Sequence, residues 1–276
     1  MRDDHAADAV AGTPLSDQVD VGGRQLAFVQ SGSGSVTVVL ESGLGAESSW
    51  WDLVQGAVSP FARVVRFDRA GKGLSDPAPV PRTSLDMAAD LHTLLERTRI
   101  PGPYVLVGQS VGGLNMRVYA ARYPDAVAGM VLVDSMHEEQ FVTMGPLLPP
   151  PFPEEPPVLT GLRQFWTHDW VDPTKNVEGI DFPASCAQGQ AVTSLGSLPL
   201  AVLTADFEHA PELSEAPPAF RIAWAKRWWE LQTSLARLSS ASTHTLVSGS
   251  GHFIQRDVPD AVIAAIREIV ETPQRS

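Results

Sequence analysis

Along the chain, short runs rich in β-branched residues alternate with segments whose apolar positions recur at helical spacing. The runs are RQLAFVQ (24–30), VTVVLE (36–41), ARVVRF (62–67), YVLVG (104–108), GMVLVD (129–134), PLAVLT (199–204) and HTLVS (244–248). Helical patterns fill 48–58, 83–98, 111–123, 219–240 and 258–271. The inner runs are apolar at successive positions, not at every second one, as in strands covered on both faces. Strands and helices alternating in this way predict an α/β fold, a mostly parallel sheet with helices on both sides. The first two runs are separated only by SGSGS and read as an antiparallel hairpin at one edge of that sheet. Residues 1–20 are polar and aperiodic, and are expected to form a flexible or loosely docked tail.

The rhythm breaks after Asp134. No core strand is legible before Leu198, and residues 146–157 (PLLPPPFPEEPP) hold seven prolines in twelve positions. Proline lacks a backbone donor and continues neither a helix nor a central strand, so this is a stiff connection. An aromatic cluster, FWTHDW (165–170), follows it. The expectation is a cap or lid of residues 137–198, inserted into a core formed by 21–136 and 199–276. It would sit over the carboxyl edge of the sheet, where open α/β folds bind ligands. In the long 219–240 segment Trp224, Trp228, Leu231, Leu235 and Leu238 follow helical spacing, which reads as core packing, with Trp229 facing outward.

Composition narrows the class without choosing an activity. The 276 residues are 43% apolar, enough for a large core. No apolar run approaches the roughly 18 residues that suggest a membrane span, and MRDDHAADAV does not resemble a signal peptide. Cys186 is the one cysteine, which excludes an internal disulfide framework and fits a reducing compartment. A net charge of -12 argues against a sequence-independent grip on nucleic acid or an anionic membrane. Together these features point to a soluble, cytoplasmic protein.

Gly108-Gln109-Ser110-Val111-Gly112 fits G-x-S-x-G, after an apolar run and before a helical pattern. That context defines a nucleophile elbow, a turn tight enough to push the serine side chain into the open. A serine hydroxyl is a weak nucleophile at neutral pH and needs a base. Of the seven histidines, His252 stands apart. It lies in SGSGHFIQRDVP, on a glycine-flanked loop after a strand and before the last helix. Loops that follow parallel strands emerge at one sheet edge, so His252 can meet Ser110 there. A serine capping a turn and a histidine packed in a loop are the plainer readings of the same residues.

GQSVG, the late GSGHFIQRDVP and FDRAGKGLSD (67–76) together resemble the α/β-hydrolase superfamily, in its cap-bearing, esterase-like branch. The resemblance spans roughly residues 24–270 and implies the α/β-hydrolase fold, with an eight-stranded sheet and a nucleophile–acid–histidine triad in that chain order. It makes Ser110 the nucleophile and His252 the base. LESGLGAESSWW (40–51) matches the family's oxyanion loop, with Ser42-Gly43 where many members have His-Gly. The implied donors are the backbone N–H groups of Leu44 and Val111, so the changed side chain need not destroy the hole. Asp68 and Arg69 read as scaffold for the loop after the third family strand.

Two places compete for the triad acid. The commoner family arrangement puts it after PLAVLT, where Asp206 and Glu208 stand. Another puts it at the end of the preceding strand, which nominates Asp134, the choice adopted here because the end of a strand holds a side chain rigidly. All three acids give the same chain order.

The expected activity is hydrolysis of carboxylic esters or lactones of a largely hydrophobic small molecule through an acyl-enzyme. The same triad could instead serve C–C bond or amide hydrolysis or cofactor-free perhydrolysis, or the scaffold could be a non-catalytic ligand receptor. No metal or cofactor motif is present: H-E-x-x-H, the phosphate-binding G-x-x-x-x-G-K-[ST] loop and the dinucleotide fingerprint are all missing. The expectation is therefore no cofactor, no metal and no partner beyond a small-molecule substrate, with the oligomeric state open.

Overall fold

A computed structural model describes residues 15–272. Its strands are β1 (Leu15–Asp20), β2 (Gln25–Ser31), β3 (Thr37–Glu41), β4 (Arg63–Phe67), β5 (Tyr104–Gln109), β6 (Val127–Val133), β7 (Leu200–Ala205) and β8 (Ser242–Val247). They form one eight-stranded sheet in the order β1-β2-β4-β3-β5-β6-β7-β8. β1 and β2 run antiparallel to their neighbours, and the other pairings are parallel. The helices are α1 (Asp52–Val58), α2 (Ser84–Arg97), α3 (Val111–Arg122), α4 (Gln140–Met144), α5 (Pro157–Thr167), α6 (Phe182–Gln190), α7 (Pro218–Ala236), α8 (Ile254–Asp257) and α9 (Pro259–Glu271).

The successive apolar positions of the inner strands divide between the two faces of the sheet. Val105 and Val107 of β5 join a core with Trp51, just before α1, with Val54 of α1 and with Val262 and Ile266 of α9. Leu106 faces the opposite way, into a core with Leu91 and Leu94 of α2 and Met116 and Tyr119 of α3. Helix starts follow local chemistry. Thr83 caps α2 through a capping box, in which Asp86 accepts the Thr83 N–H at 2.8 Å. α7 and α9 each begin with proline, whose missing N–H costs nothing in a first turn.

Two expectations at the sheet edge are corrected. β2 and β3 do not form a hairpin: β2 pairs with β1 and β4, while β3 lies between β4 and β5. All five positions of β3 are buried, so it belongs inside the sheet with both faces covered. The tail ends sooner than expected. Residues 1–14 lie outside the described residues, but Leu15–Asp20 is strand β1, in register from Leu15 opposite Gln30 to Asp20 opposite Gln25. As an edge strand it is largely solvent-facing and needs no apolar alternation. The turn Val21-Gly22-Gly23-Arg24 fixes this pairing, with Asp20 accepting the N–H groups of Gly22 and Gly23 at 3.0 Å each. Those two glycines, both at positive φ, were the legible signal.

The long helical pattern 219–240 is α7, and its Trp224, Trp228, Leu231 and Leu235 are buried as expected. Between β6 and β7 the chain carries α4, α5 and α6, joined by turns and irregular stretches, and no strand of the sheet. The proline-rich stretch is held back on α5, where Arg163 donates to Pro149 O at 2.8 Å and pairs with Glu155. Cys186 is buried in α6, and burial pushes its thiol up to about 12. No helix among the described residues is long and apolar enough to cross a membrane.

Candidate active site

The parallel strands end at one edge, and the loops leaving them bring the candidate residues together. Ser110 sits between β5 and α3 with φ 55° and ψ -125°, a conformation that L-residues rarely adopt. The turn is tight because two glycines let neighbouring chains touch it. A Cβ on Gly108 would lie 2.5 Å from the carbonyl of Gly112, and one on Gly112 would lie 2.6 Å from Glu41 O. The Ser110 hydroxyl does not cap α3. Val111 is the first residue of that helix, so its N–H belongs to the group without intrahelical partners.

His252 follows β8, and its loop is held from several sides. Its own N–H donates to Glu212 Oε1 at 2.8 Å, its carbonyl accepts from Gln109 Nε2 at 3.1 Å, and the Gly251 N–H donates to Asp257 at 2.9 Å. The ring donates from Nδ1 to Asp134 Oδ2 at 2.6 Å, which leaves Nε2 for a second partner.

Asp134 directly follows β6, fully buried, with φ 42°. Its other oxygen accepts from Ala205 N at 2.9 Å and from the Trp228 indole N–H at 2.7 Å. The three bonds fix the carboxylate's orientation. Asp206 and Glu208 are not brought to the imidazole. Asp206 pairs with His209 at 3.1 Å, and the Glu208 carbonyl accepts from Arg221 at 3.0 Å.

The loop after β3 lies directly over the elbow, since a Cβ on Gly43 would come within 3.1 Å of Ser110 Cβ. Leu44 therefore lines the same cavity as Ser110 and Val111. Asp68 is scaffold as expected, accepting the Ser48 N–H at 2.7 Å. Arg69 is buried beneath the loop, paired with Glu178 at 2.7 Å and with Glu41 at 3.4 Å.

Burial pushes the Glu41 carboxyl up to about 7, against the pull of Arg69 and the hydrogen bond from Asn115. With a folded pKa above the ordinary 4.5, the native chain holds more protons than the unfolded chain between those values. The contribution of Glu41 to stability is therefore complete below about pH 4.5 and is lost as the pH rises through about 7. Glu41→Gln is expected to flatten this decline by up to about 3 kcal/mol. Urea unfolding of both proteins at pH 5 and pH 7.5 checks it, and equal pH slopes would contradict it.

Ser110 and His252 line one cavity of about 260 Å³, together with Met136, Phe141, Phe165, Trp166, Phe182, Phe207, Trp224 and Trp228 among others. No hydrogen bond joins the Ser110 hydroxyl to the imidazole across it. Catalytic hydrogen bonds are often long without substrate and tighten once it binds. Among the described residues, the ionisable side chains lining the cavity are Glu212 and His252.

Four contributors escaped the sequence reading. Trp228 appeared only as a packing position, Gln109 as the variable residue of the elbow, and Glu212 and Glu178 not at all. Another histidine, His137, is inert in this respect. Its Nδ1 accepts the Glu139 N–H at 3.0 Å, its Nε2 contacts Ser234 Oγ at 2.7 Å, and burial lowers its pKa to about 4. Among the described residues, no cluster of His, Cys, Asp and Glu is arranged to hold a metal ion.

A serine on a strand-to-helix elbow, an acid after the next strand and a histidine after the last one form a recognisable arrangement on a doubly covered, mostly parallel sheet. A model of the alpha/beta hydrolase fold matches residues 36–184, and the chain belongs to that family. A Gibberella zeae AB hydrolase superfamily protein is 37% identical over 105 residues, 37% of this chain and 33% of that protein. The 2-(acetamidomethylene)succinate hydrolase of Mesorhizobium japonicum is 32% identical over 131 residues, covering 48% of this chain and 46% of that one. The chain thus spans between a third and a half of the length of these curated relatives. The structure of a thermophilic esterase from Thermogutta terrifontis superposes with a TM-score of 0.60 at 24% identity, covering 94% of this chain and 98% of that one.

Proposed function

We propose that this protein is a serine hydrolase that cleaves carboxylic esters or lactones of an uncharged, largely hydrophobic small molecule. The observation that carries the reading is the 2.6 Å bond from His252 Nδ1 to buried Asp134, with Ser110 on the same cavity wall. In this mechanism Ser110 attacks the carbonyl while His252 Nε2 takes its proton. The N–H groups of Leu44 and Val111 hold the oxyanion. His252 then returns the proton to the leaving alcohol and activates the water that releases the acid.

The substrate class follows from the lining. A bound carboxylate is favoured by a nearby cation, and among the described residues the cavity wall offers no lysine or arginine. Aromatic and aliphatic side chains dominate, many from the segment between β6 and β7, which in this reading is a cap over the site. The relative from Mesorhizobium japonicum is named for a dicarboxylate, and this cavity favours a different, neutral compound.

Fluorophosphonate labelling followed by peptide mapping tests the chemistry, with one adduct per chain expected on Ser110. The 4-nitrophenyl esters of acetate, butyrate, benzoate and succinate test the class. Butyrate and benzoate are expected to exceed the succinate half-ester by at least about 10-fold in kcat/KM. Adducts elsewhere, or no turnover of any ester by labellable protein, would overturn the reading.

A further inference from the structure

Arg69 reaches further than a scaffold residue needs to. Its guanidinium donates to two successive backbone carbonyls of the loop after β3, Ser42 O and, at 2.7 Å, Gly43 O. The same group forms a two-pronged pair with Glu178, Nε to Oε2 at 2.8 Å and Nη2 to Oε1 at 2.7 Å. Glu178 Oε1 in turn accepts the Gly45 N–H at 2.6 Å. Guanidinium and carboxylate therefore hold the backbone on either side of Leu44.

The pair has a fixed base. Both side chains are almost completely enclosed, with side-chain exposures of 4% and 2%. Glu178 belongs to a turn braced by Asn176, whose Oδ1 accepts the Ile180 N–H at 2.9 Å and whose Nδ2 donates to Ile180 O at 2.9 Å. That turn is strapped to the core by backbone bonds in both directions with Arg82, at 2.9 and 2.8 Å. Burial opposes ionisation of Glu178, but the Arg69 charge outweighs it and holds the carboxyl below its ordinary range.

A trans peptide points its carbonyl and its N–H in opposite directions. Anchoring Gly43 O on Arg69 therefore aims the Leu44 N–H away from the guanidinium, and Leu44 lines the Ser110 cavity. Among the described hydrogen bonds that N–H has no acceptor. Glycines at 43 and 45 loosen the backbone around the Gly43–Leu44 peptide, whose carbonyl is held by the Ala46 N–H at 3.3 Å and, more closely, by Arg69 at 2.7 Å. A cation on the carbonyl also polarises the peptide and makes its N–H a stronger donor.

We propose that the Arg69–Glu178 pair is a positioning device that orients the Leu44 N–H as an oxyanion donor. This makes the segment between β6 and β7 a working part of the catalytic site as well as a cover. The inference rests on the serine-hydrolase reading, because an oxyanion donor has meaning only if Ser110 attacks a carbonyl.

Arg69→Lys keeps the buried positive charge but loses the planar fork that spans two carbonyls and a carboxylate. With 4-nitrophenyl butyrate, kcat is expected to fall about 10- to 100-fold with KM within about 2-fold, because the donor acts on the transition state. Affinity for a trifluoromethyl ketone analogue, which forms an oxyanion on Ser110, is expected to fall by the same factor as kcat. The pH midpoint of kcat/KM is expected to stay in place, because His252 and Asp134 are untouched. Glu178→Gln is expected to move kcat and analogue affinity in the same direction. It carries the comparison alone if circular dichroism shows Arg69→Lys unfolded.

Ser110→Ala is the control. If it abolishes turnover while both variants keep kcat and analogue affinity within about 2-fold, the positioning role is overturned and the hydrolase reading stands. If Ser110→Ala retains turnover, both fall together. A parallel rise in KM and loss of thermal stability with kcat unchanged would show a purely structural pair, against the proposal.

Discussion

Ser110→Ala is expected to lower kcat for ester cleavage by about 10⁴- to 10⁶-fold while KM changes little. The hydroxyl is the atom that forms the acyl bond in the proposed mechanism, and among the described residues lining the cavity no other side chain carries a hydroxyl or thiol. Cys186 is buried in α6 and held as a thiol, so it offers no substitute nucleophile. The residual rate would come from the oxyanion donors and the cavity acting on water. Ser110→Gly provides a second measurement. It removes the same hydroxyl, yet glycine accepts φ 55° without the steric cost that alanine or serine bears there. The glycine variant should thus be equally inactive but more stable than the serine protein by about 1 kcal/mol, read by urea unfolding. Activity retained by either variant would remove Ser110 from the mechanism. A glycine variant less stable than the alanine one would show that the elbow stores no strain.

What was legible in the sequence followed the range of the interactions. The elbow is local: strand, glycine, serine, glycine and helix lie within twenty residues, so pattern alone located Ser110. The His252 loop could be read because parallel topology sends every such loop to one edge. The acid was readable only as a choice, since GMVLVDSMH shows an acid at a strand end while its imidazole partner lies 118 residues away. Asp206 and Glu208 occupy the commoner family position for the acid, and in the folded chain the imidazole bond goes to Asp134. The hairpin expected between β2 and β3 is absent because nearness in sequence does not decide pairing: β3 lies between β4 and β5. Every position of β3 is covered, which an edge hairpin does not provide. The Arg69–Glu178 contact was beyond reach. Its partners are 109 residues apart, and Glu178 stands in a segment with no periodic signal. Trp228 illustrates the same limit in one side chain. Its apolar body followed the helical stripe, but its N–H bond to Asp134 spans 94 residues.

Asp134→Asn is expected to cost about 10⁴-fold in kcat, or roughly 5 kcal/mol in the barrier, with the fold retained. The direction follows from the hydrogen-bond donors around the carboxylate. Oδ1 faces the Ala205 N–H and the Trp228 indole N–H, at 2.9 and 2.7 Å, while Oδ2 faces His252 Nδ1 at 2.6 Å. An asparagine must keep its oxygen toward the two fixed donors, because turning its NH₂ that way would set donor against two donors. The NH₂ then points at Nδ1, which must present a lone pair to accept it. The ring proton moves to Nε2, and the imidazole can no longer take the proton from Ser110. The variant would have an intact cavity and the wrong tautomer. Asp134→Ala separates this effect from simple damage. It leaves both donors buried without an acceptor, at about 1–3 kcal/mol each, so it should lose stability as well as activity. Kinetics with 4-nitrophenyl butyrate alongside thermal unfolding distinguish the two variants. An asparagine variant within 10-fold of the parent kcat would show that Asp134 does not set the tautomer, and the proposed Ser–Asp–His assignment would fail.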